Sequence, residues 1–476
     1  MTEKPSLKKN YIYRLIYEAL SLALPFITVP YISRVLEANG VGRVSFAESV
    51  TAYFIMFCAL GKNTYGTRII AVRRDDRRNC SKSFLEIELL SFICLLVLLI
   101  PWSILIFNAH ENRLLYIAMT PCLVAAMLDI SWFYTGIERM GIIAGISGIV
   151  KLAGVILMFV LVKSSGDIAL YCLINSSVLL ISNLLMWLFL PKYLCSIKGI
   201  KLTPFSHLRE TLIYFIPAVA TSVYLVLDKT LIGLITKDEY QNGYYEQASK
   251  VINVGKAFAF LVFNSVMTAR MSYLFSEKDH DKIKEMISAS MDFILLFVYG
   301  AVFGLLGISH DLVPLLFGEG YEAVEGLIYL MLPLILIIAV SNCLESHYYV
   351  PSGQRGKSNR YLIAGAVLNF CLNLCLIPHF AAAGAVAASV AAELLITILY
   401  MSNCAGIYKP AQILASSFKR IAAGICMAGI VYVTGRMAMA KLPLLFIQLA
   451  AGVVSYILIL LIMKDKGVMR ILKSLH

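Results

Sequence analysis

Charged side chains stand in this sequence where charge is expensive. Lys151, Lys229, Lys250 and Lys256, together with Glu48, Asp129, Asp228, Asp292 and Glu393, lie inside long apolar stretches. A charged side chain at mid-bilayer costs roughly 2.5–3.5 kcal/mol on insertion scales, so four lysines facing lipid would cost on the order of 10 kcal/mol. That is comparable to the whole stability of an ordinary domain. These groups must therefore face protein or water. Ammonium groups held there can bind an anion, and nearby carboxylates can pair with them or carry an ion. The plainer alternative is a set of ion pairs within one bundle that stabilise helix packing.

Nothing comparable points to covalent catalysis. The histidines are scattered without metal-ligand spacing, and Glu345 and His347, two apart, would point to different faces of a helix. Pro351-Ser352-Gly353-Gln354-Arg355-Gly356-Lys357-Ser358 approaches a phosphate-binding loop, but proline replaces its first glycine and an apolar helix precedes it. It reads as a basic turn. The eleven cysteines fall mostly in apolar runs with no C-x-x-C, as small hydrophobes do. No cofactor and no enzymatic activity are expected.

The elements that position the charges follow from composition. Hydrophobic residues are 59% of the 476 and charged residues 15%, against roughly 45–50% and about 25% in soluble domains. Apolar runs predict spans over 11–33, 43–61, 84–107, 114–134, 142–162, 168–190, 211–235, 244–269, 286–309, 326–348, 361–378, 384–404, 419–437 and 443–463. Lysine and arginine crowd alternate loops: Lys62, Arg68, Arg73, Arg74, Arg77, Arg78 and Lys82 share one, while 310–325 and 379–383 hold neither. By the positive-inside rule both termini are cytoplasmic. The net charge of +12 is thus topology, with anionic headgroups a secondary partner and no need of nucleic acid. Trp102, Trp132, Trp187 and many tyrosines near span ends read as interfacial anchors.

The expected fold class is all-α: a polytopic membrane protein of about fourteen helices, in two pseudo-symmetric six-helix lobes plus two C-terminal helices. The boundaries expected are 1–200, 201–405 and 406–476, with the polar stretch 191–209 between the lobes. An internal echo supports the repeat. Asn39-Gly40 before Ser45-Phe46-Ala47 is answered by Asn242-Gly243 before Ala248-Ser249-Lys250, and Pro25 by Pro217. Each half thus opens with a proline-broken helix that enters a second through an Asn-Gly turn.

Several segments resemble bacterial polysaccharide flippases of the Wzx type. They are Leu24-Pro25-Phe26-Ile27-Thr28-Val29-Pro30-Tyr31-Ile32-Ser33-Arg34-Val35-Leu36, Gly61-Lys62-Asn63-Thr64-Tyr65-Gly66-Thr67-Arg68, Leu227-Asp228-Lys229 and Gly243-Tyr244-Tyr245-Glu246-Gln247-Ala248. The likeness covers the whole chain in helix count and is sharpest over 11–75. One departure is Glu37, where the family more often carries glycine. The resemblance implies the fold of multidrug/oligosaccharidyl-lipid/polysaccharide exporters, two lobes around a cavity that opens alternately to either side. It implies an undecaprenyl diphosphate-linked oligosaccharide as substrate, residence in the bacterial inner membrane, a possible H+ or Na+ coupling ion, and polysaccharide-assembly proteins as possible partners.

Depth then assigns roles. Glu48, Asp228, Lys229 and Lys250 lie six or seven residues inside the outer ends of their spans, a layer roughly 10 Å deep, and Lys256 lies about two turns deeper. In the resembled fold those helices line the cleft. Lys256, Lys250, Lys151, Lys229 and Arg34 are the expected cationic contacts to the diphosphate. Glu48, Asp228 and Asp129 are the expected gate or ion-coupling residues, with Glu48 pairing to Lys250. The competing readings are a cation-coupled multidrug exporter of the same fold, a peptidoglycan lipid-precursor flippase, and a membrane polymerase or acyltransferase. The last would want a large outer loop or a histidine centre.

Overall fold

The computed structural model describes residues 7–196, 199, 201–260, 264–277, 279–404, 406 and 410–475. The side chains of Arg14 and Pro217 lie outside those described. Among the described residues every regular element is a helix, as expected from the apolar runs.

The helices are α1 (Leu7–Ala59), α2 (Lys62–Arg73), α3 (Arg77–Asn108), α4 (Arg113–Leu128), α5 (Ser131–Gly136), α6 (Met140–Leu161), α7 (Ile168–Phe189) and α8 (Leu208–Thr236). They continue as α9 (Glu239–Phe260), α10 (Asn264–Glu277), α11 (His280–Leu316), α12 (Glu322–Leu344), α13 (Arg355–Ser402), α14 (Pro410–Thr434), α15 (Lys441–Ile462) and α16 (Lys466–Leu475). The chain forms two units, 1–230 and 231–476, which divide inside α8.

Among the described residues ten helical stretches are long and apolar enough to cross a membrane. Two of them hold more than one crossing. Straight, the 53 residues of α1 would run roughly 80 Å, against a hydrocarbon core of about 30 Å. Glu37 breaks it. Likewise α13, 48 residues long, breaks at Ala381 and folds back, so that Asn369 Nδ2 donates to Ser389 Oγ at 3.1 Å and Gly365 lies against Ile396. With α8 and α9 also long enough to cross, the helix order is that of about fourteen passes. Large apolar side chains such as Ile100, Phe107, Leu188 and Ile462 point outward, as a lipid-facing surface requires.

The break in α1 corrects the turn expected at Asn39-Gly40. Glu37 has φ 58° and ψ 176°, backbone that suits glycine and crowds a β-carbon, at a cost of about 1–3 kcal/mol. The position where this chain departs from the flippase pattern is therefore a strained hinge. In the second unit the turn between α8 and α9 likewise uses Lys237 at φ 52°, and both Asn-Gly pairs are helical. Gly40 serves packing instead: a β-carbon there would stand 3.1 Å from Leu36 Cβ and 3.3 Å from Ile168 Cδ1. Glu37→Gly is expected to raise stability by about 1 kcal/mol, read as a higher midpoint of thermal unfolding in detergent. An unchanged or lowered midpoint would contradict strain at this residue.

A second repeat is marked by helix breaks. Leu128-Asp129-Ile130-Ser131-Trp132-Phe133 runs up to Glu138-Arg139, and Leu344-Glu345-Ser346-His347-Tyr348-Tyr349 runs up to Gln354-Arg355. The first segment ends α4 and starts the short α5; the second ends α12 in a π-helical turn, Glu345–Tyr349. Each unit thus breaks one helix at an acid followed by aromatics, just before the arginine that opens the next long helix.

Those aromatics are core. Trp102 and Trp132 are 1% and 2% exposed, so they are not interfacial anchors. Their indole N–H groups are satisfied internally, by Thr120 Oγ1 at 3.0 Å and Glu88 Oε1 at 3.0 Å, which lets the rings leave the polar interface. Trp187, half-buried, donates to the Leu128 carbonyl.

Candidate functional site: charges held inside each unit

Lys151 projects from α6 toward α1. The approach is close because α6 presents glycines there: Gly141 lies against Tyr13 and Gly148 against Leu20. Tyr17 and Ser21, one helical turn apart on α1, meet the ammonium. Lys151 Nζ donates to Ser21 Oγ at 2.9 Å and to Tyr17 Oη at 3.2 Å, and lies 4.4 Å from the centre of the Tyr17 ring. Two hydroxyls and an aromatic face orient this cation without cancelling its charge.

The other cations are more local. Lys250 pairs with Glu246 one turn away on α9, Nζ to Oε1 3.3 Å. Lys256, deeper on α9, feels the carboxylate of Glu393 on α13. Arg34 is exposed just before the Glu37 break, and Lys229 is half-buried on α8. So one of the three lysines that matter most is locked to an acid of its own unit, one is electrostatically coupled to an acid, and Lys151 is held by neutral groups.

Among the expected gate residues, Asp129 sits at the end of α4 and accepts from the Ser131 backbone N–H at 2.9 Å, which shapes the helix break. Asp228 is buried on α8 beside a hydroxyl network: Thr230 Oγ1 donates to Ser49 Oγ at 3.0 Å and lies 3.3 Å from Tyr53 Oη, with Tyr53 within the field of Asp228. Glu48 is exposed on the second arm of α1. It belongs to the first unit and Lys250 to the second.

Three buried ionic clusters lie outside the pairings expected from the sequence, although Asp292 of the third is one of the in-span charges. Lys62, assigned by sequence to a cytoplasmic loop, is only 2% exposed and lies 3.4 Å from Glu88, itself 6% exposed. Lys62 Nζ also donates to the Met127 carbonyl at 2.6 Å. Glu88 stands in α3 amid apolar residues, and an unpaired carboxylate there would be costly, so the start of α2 folds in to meet it. Glu86, two residues earlier, accepts from His207 Nε2 at 3.0 Å, from the Thr203 backbone N–H at 2.8 Å and from Thr203 Oγ1 at 3.1 Å; Tyr65 Oη lies 2.6 Å from His207 Nδ1. In the second unit Arg420, fully buried, reaches Asp292 at 2.7 Å and Asp465 at 3.2 Å. Glu86 and Glu88 could have been found, since both fall inside the span expected at 84–107. The partners of Arg420 could not, because they lie 128 and 45 residues away in sequence.

No set of His, Cys, Asp and Glu side chains among the described residues could hold a metal ion. The arrangement can bind and orient charge.

The family described as polysaccharide biosynthesis protein matches residues 7–275, more than half of the chain. The chain belongs to that family. Its helices are those of a multi-pass membrane protein. A protein of Escherichia coli (strain K12) named as an O-antigen transporter is 24% identical over 411 residues, 84% of this chain and 97% of its own length. A second of that name, from Shigella dysenteriae, is 24% identical over 83% of this chain and 99% of its own. A Haloferax volcanii protein named as a low-salt glycan biosynthesis flippase is 24% identical over 42% of this chain and 43% of its own. Among solved structures, the lipid II flippase MurJ matches with TM-score 0.72 at 13% identity, covering 96% of this chain and 99% of that one. A multidrug resistance MATE family transporter matches with TM-score 0.56 at 12% identity, over 79% and 96%. This polysaccharide biosynthesis protein therefore has the helical fold those transporters share.

Proposed function

We propose that this protein is a flippase that moves an undecaprenyl diphosphate-linked oligosaccharide repeat unit from the cytoplasmic to the outer leaflet by alternating access. The observation that carries this reading is Lys151: an ammonium within a membrane-spanning helix, oriented by Tyr17, Ser21 and an aromatic face. A diphosphate cannot enter hydrocarbon without fixed cations to meet it, and Lys151 is placed as one. The names of the relatives, O-antigen transporter and glycan biosynthesis flippase, support a glycan cargo. Lys256, Lys250, Lys229 and Arg34 are the further cations assigned to the diphosphate, and Glu48 and Asp228 act in gating or ion coupling. The protein works in the bacterial inner membrane with both termini cytoplasmic, driven by an H+ or Na+ gradient, and hands its product to polysaccharide-assembly proteins.

Charge on the cargo is the test. In proteoliposomes, the diphosphate-linked oligosaccharide should cross at least tenfold faster than the same saccharide on a neutral lipid of equal length, as expected for about 1.4 kcal/mol of cation–diphosphate contact. Equal rates would overturn the anionic-cargo reading.

The gate has its own test. Lys250 pairs with Glu246, so closing on Glu48 means exchanging one carboxylate for another. Glu48→Gln and Lys250→Gln should each slow transport, and the double variant should be slower by less than the product of the two. A coupling of at least about 0.5 kcal/mol is expected from the ratio of rates. Strict additivity would remove the pairing.

A further inference from the structure

The first unit contains a polar cavity of about 280 Å³ where α2, the start of α3 and the segment 203–207 meet. A water needs only about 10–15 Å³ of such space, so there is room for a phosphoryl group with its shell. Arg73 and Lys82 face the cavity, with Asn79 and Ser206 beside them and Glu86 and His207 behind. By the positive-inside reading this is the cytoplasmic end of α3.

The charges do not cancel. Glu86 is the one carboxylate among the lining residues, and three of its roughly four acceptor positions are taken. Oε1 receives the Thr203 N–H and hydroxyl and Oε2 receives His207, while Lys82 Nζ stands off at 3.8 Å. A carboxylate so engaged has little left for Arg73. The guanidinium is anchored through one nitrogen on Ser83 Oγ, which aims its fork and leaves further donors for a ligand. Asn79 gives one amide N–H to Asp76 and keeps a second. Two oriented cations and an amide donor around a polar hollow match the acceptor geometry of a tetrahedral oxyanion. Glu86, His207 and Tyr65 form the buried wall that holds the segment 203–207 in place.

We infer that this cavity is a binding site for a phosphoryl anion, either the headgroup of an anionic lipid or a soluble phosphate. It is separate from Lys151 and does not rest on the transport reading.

The test is calorimetric titration of the full-length protein, in phosphatidylcholine nanodiscs, with inorganic phosphate and with pyrophosphate. Saturable binding that weakens with added salt is expected, and Arg73→Gln/Lys82→Gln should weaken it roughly tenfold or more. Arg78→Gln, a neighbouring exposed arginine outside the cavity, should bind as the parent does. If the double variant fails to fold, Lys82→Gln alone replaces a side chain that is already 31% exposed and should still weaken binding several-fold. Nanodiscs containing phosphatidylglycerol separate the sources. Loss of pyrophosphate binding there, restored in phosphatidylcholine, supports a lipid headgroup; unchanged binding supports a soluble phosphate. No saturable binding by the parent protein, or equal binding by the double variant, would overturn the site.

Discussion

Lys151→Met is expected to reduce transport by roughly ten- to a hundredfold while the protein still reaches the membrane. A hydrogen bond to a charged group contributes about 1.5–3 kcal/mol, which spans that range. Met keeps most of the length of the side chain and its packing against α1, so the change removes chiefly the ammonium. Tyr17 and Ser21 lose a donor but remain able to bond to water or to each other's surroundings, so the cost to stability should stay near 1 kcal/mol. Lys151→Arg should retain part of the activity, since it keeps the charge and misplaces it between the two hydroxyls that fit an ammonium. Rate per folded molecule separates binding from folding. A Lys151→Met protein that transports at the parental rate would leave Lys151 as a packing residue.

Arg420→Met is expected to be the most damaging change to stability in the second unit, by about 3–5 kcal/mol. The guanidinium is fully buried, and its removal leaves Asp465 without its counter-charge and Asp292 with only the more distant Arg470, at 3.7 Å. Arg420 also donates to the Asp292 carbonyl, and Asp465 accepts from the backbone N–H groups of Gly467 and Val468 at the start of α16. One residue therefore ties α11, α14 and α16. The variant should unfold at markedly lower temperature in detergent and accumulate poorly. Adding Asp292→Asn and Asp465→Asn should recover part of the loss, because neutral amides need no counter-charge. A midpoint unchanged in the single variant would mean that the cluster contributes nothing net.

Much of this was legible in the sequence, and the failures share a cause. Span order, the all-helical class and the isolation of Lys151 in an apolar helix follow from local composition, which a bilayer constrains strongly. Pairings do not, because they join residues far apart in the chain. Lys62 reads as a loop lysine until Glu88 is seen to need it. Trp102 and Trp132 read as anchors because their positions near span ends are visible and their internal acceptors are not. Asn39-Gly40 has turn composition, yet the chain turns at Glu37, where no local preference would put it. There the flippase likeness carried the missing information, since a family position that favours glycine marks backbone that other residues enter only under strain. The fold repeat lay in the sequence as well, in the segments 128–139 and 344–355, and the helix breaks make it visible.

The central claim is that an anionic lipid-linked saccharide is the cargo of this fold here. Purified protein in sealed vesicles, given a labelled undecaprenyl diphosphate oligosaccharide in one leaflet, should make the label accessible from the opposite side. The same vesicles loaded with an organic cation such as ethidium should show no gradient-driven efflux. Cation efflux without movement of the lipid-linked sugar would contradict the account and make this chain a drug exporter.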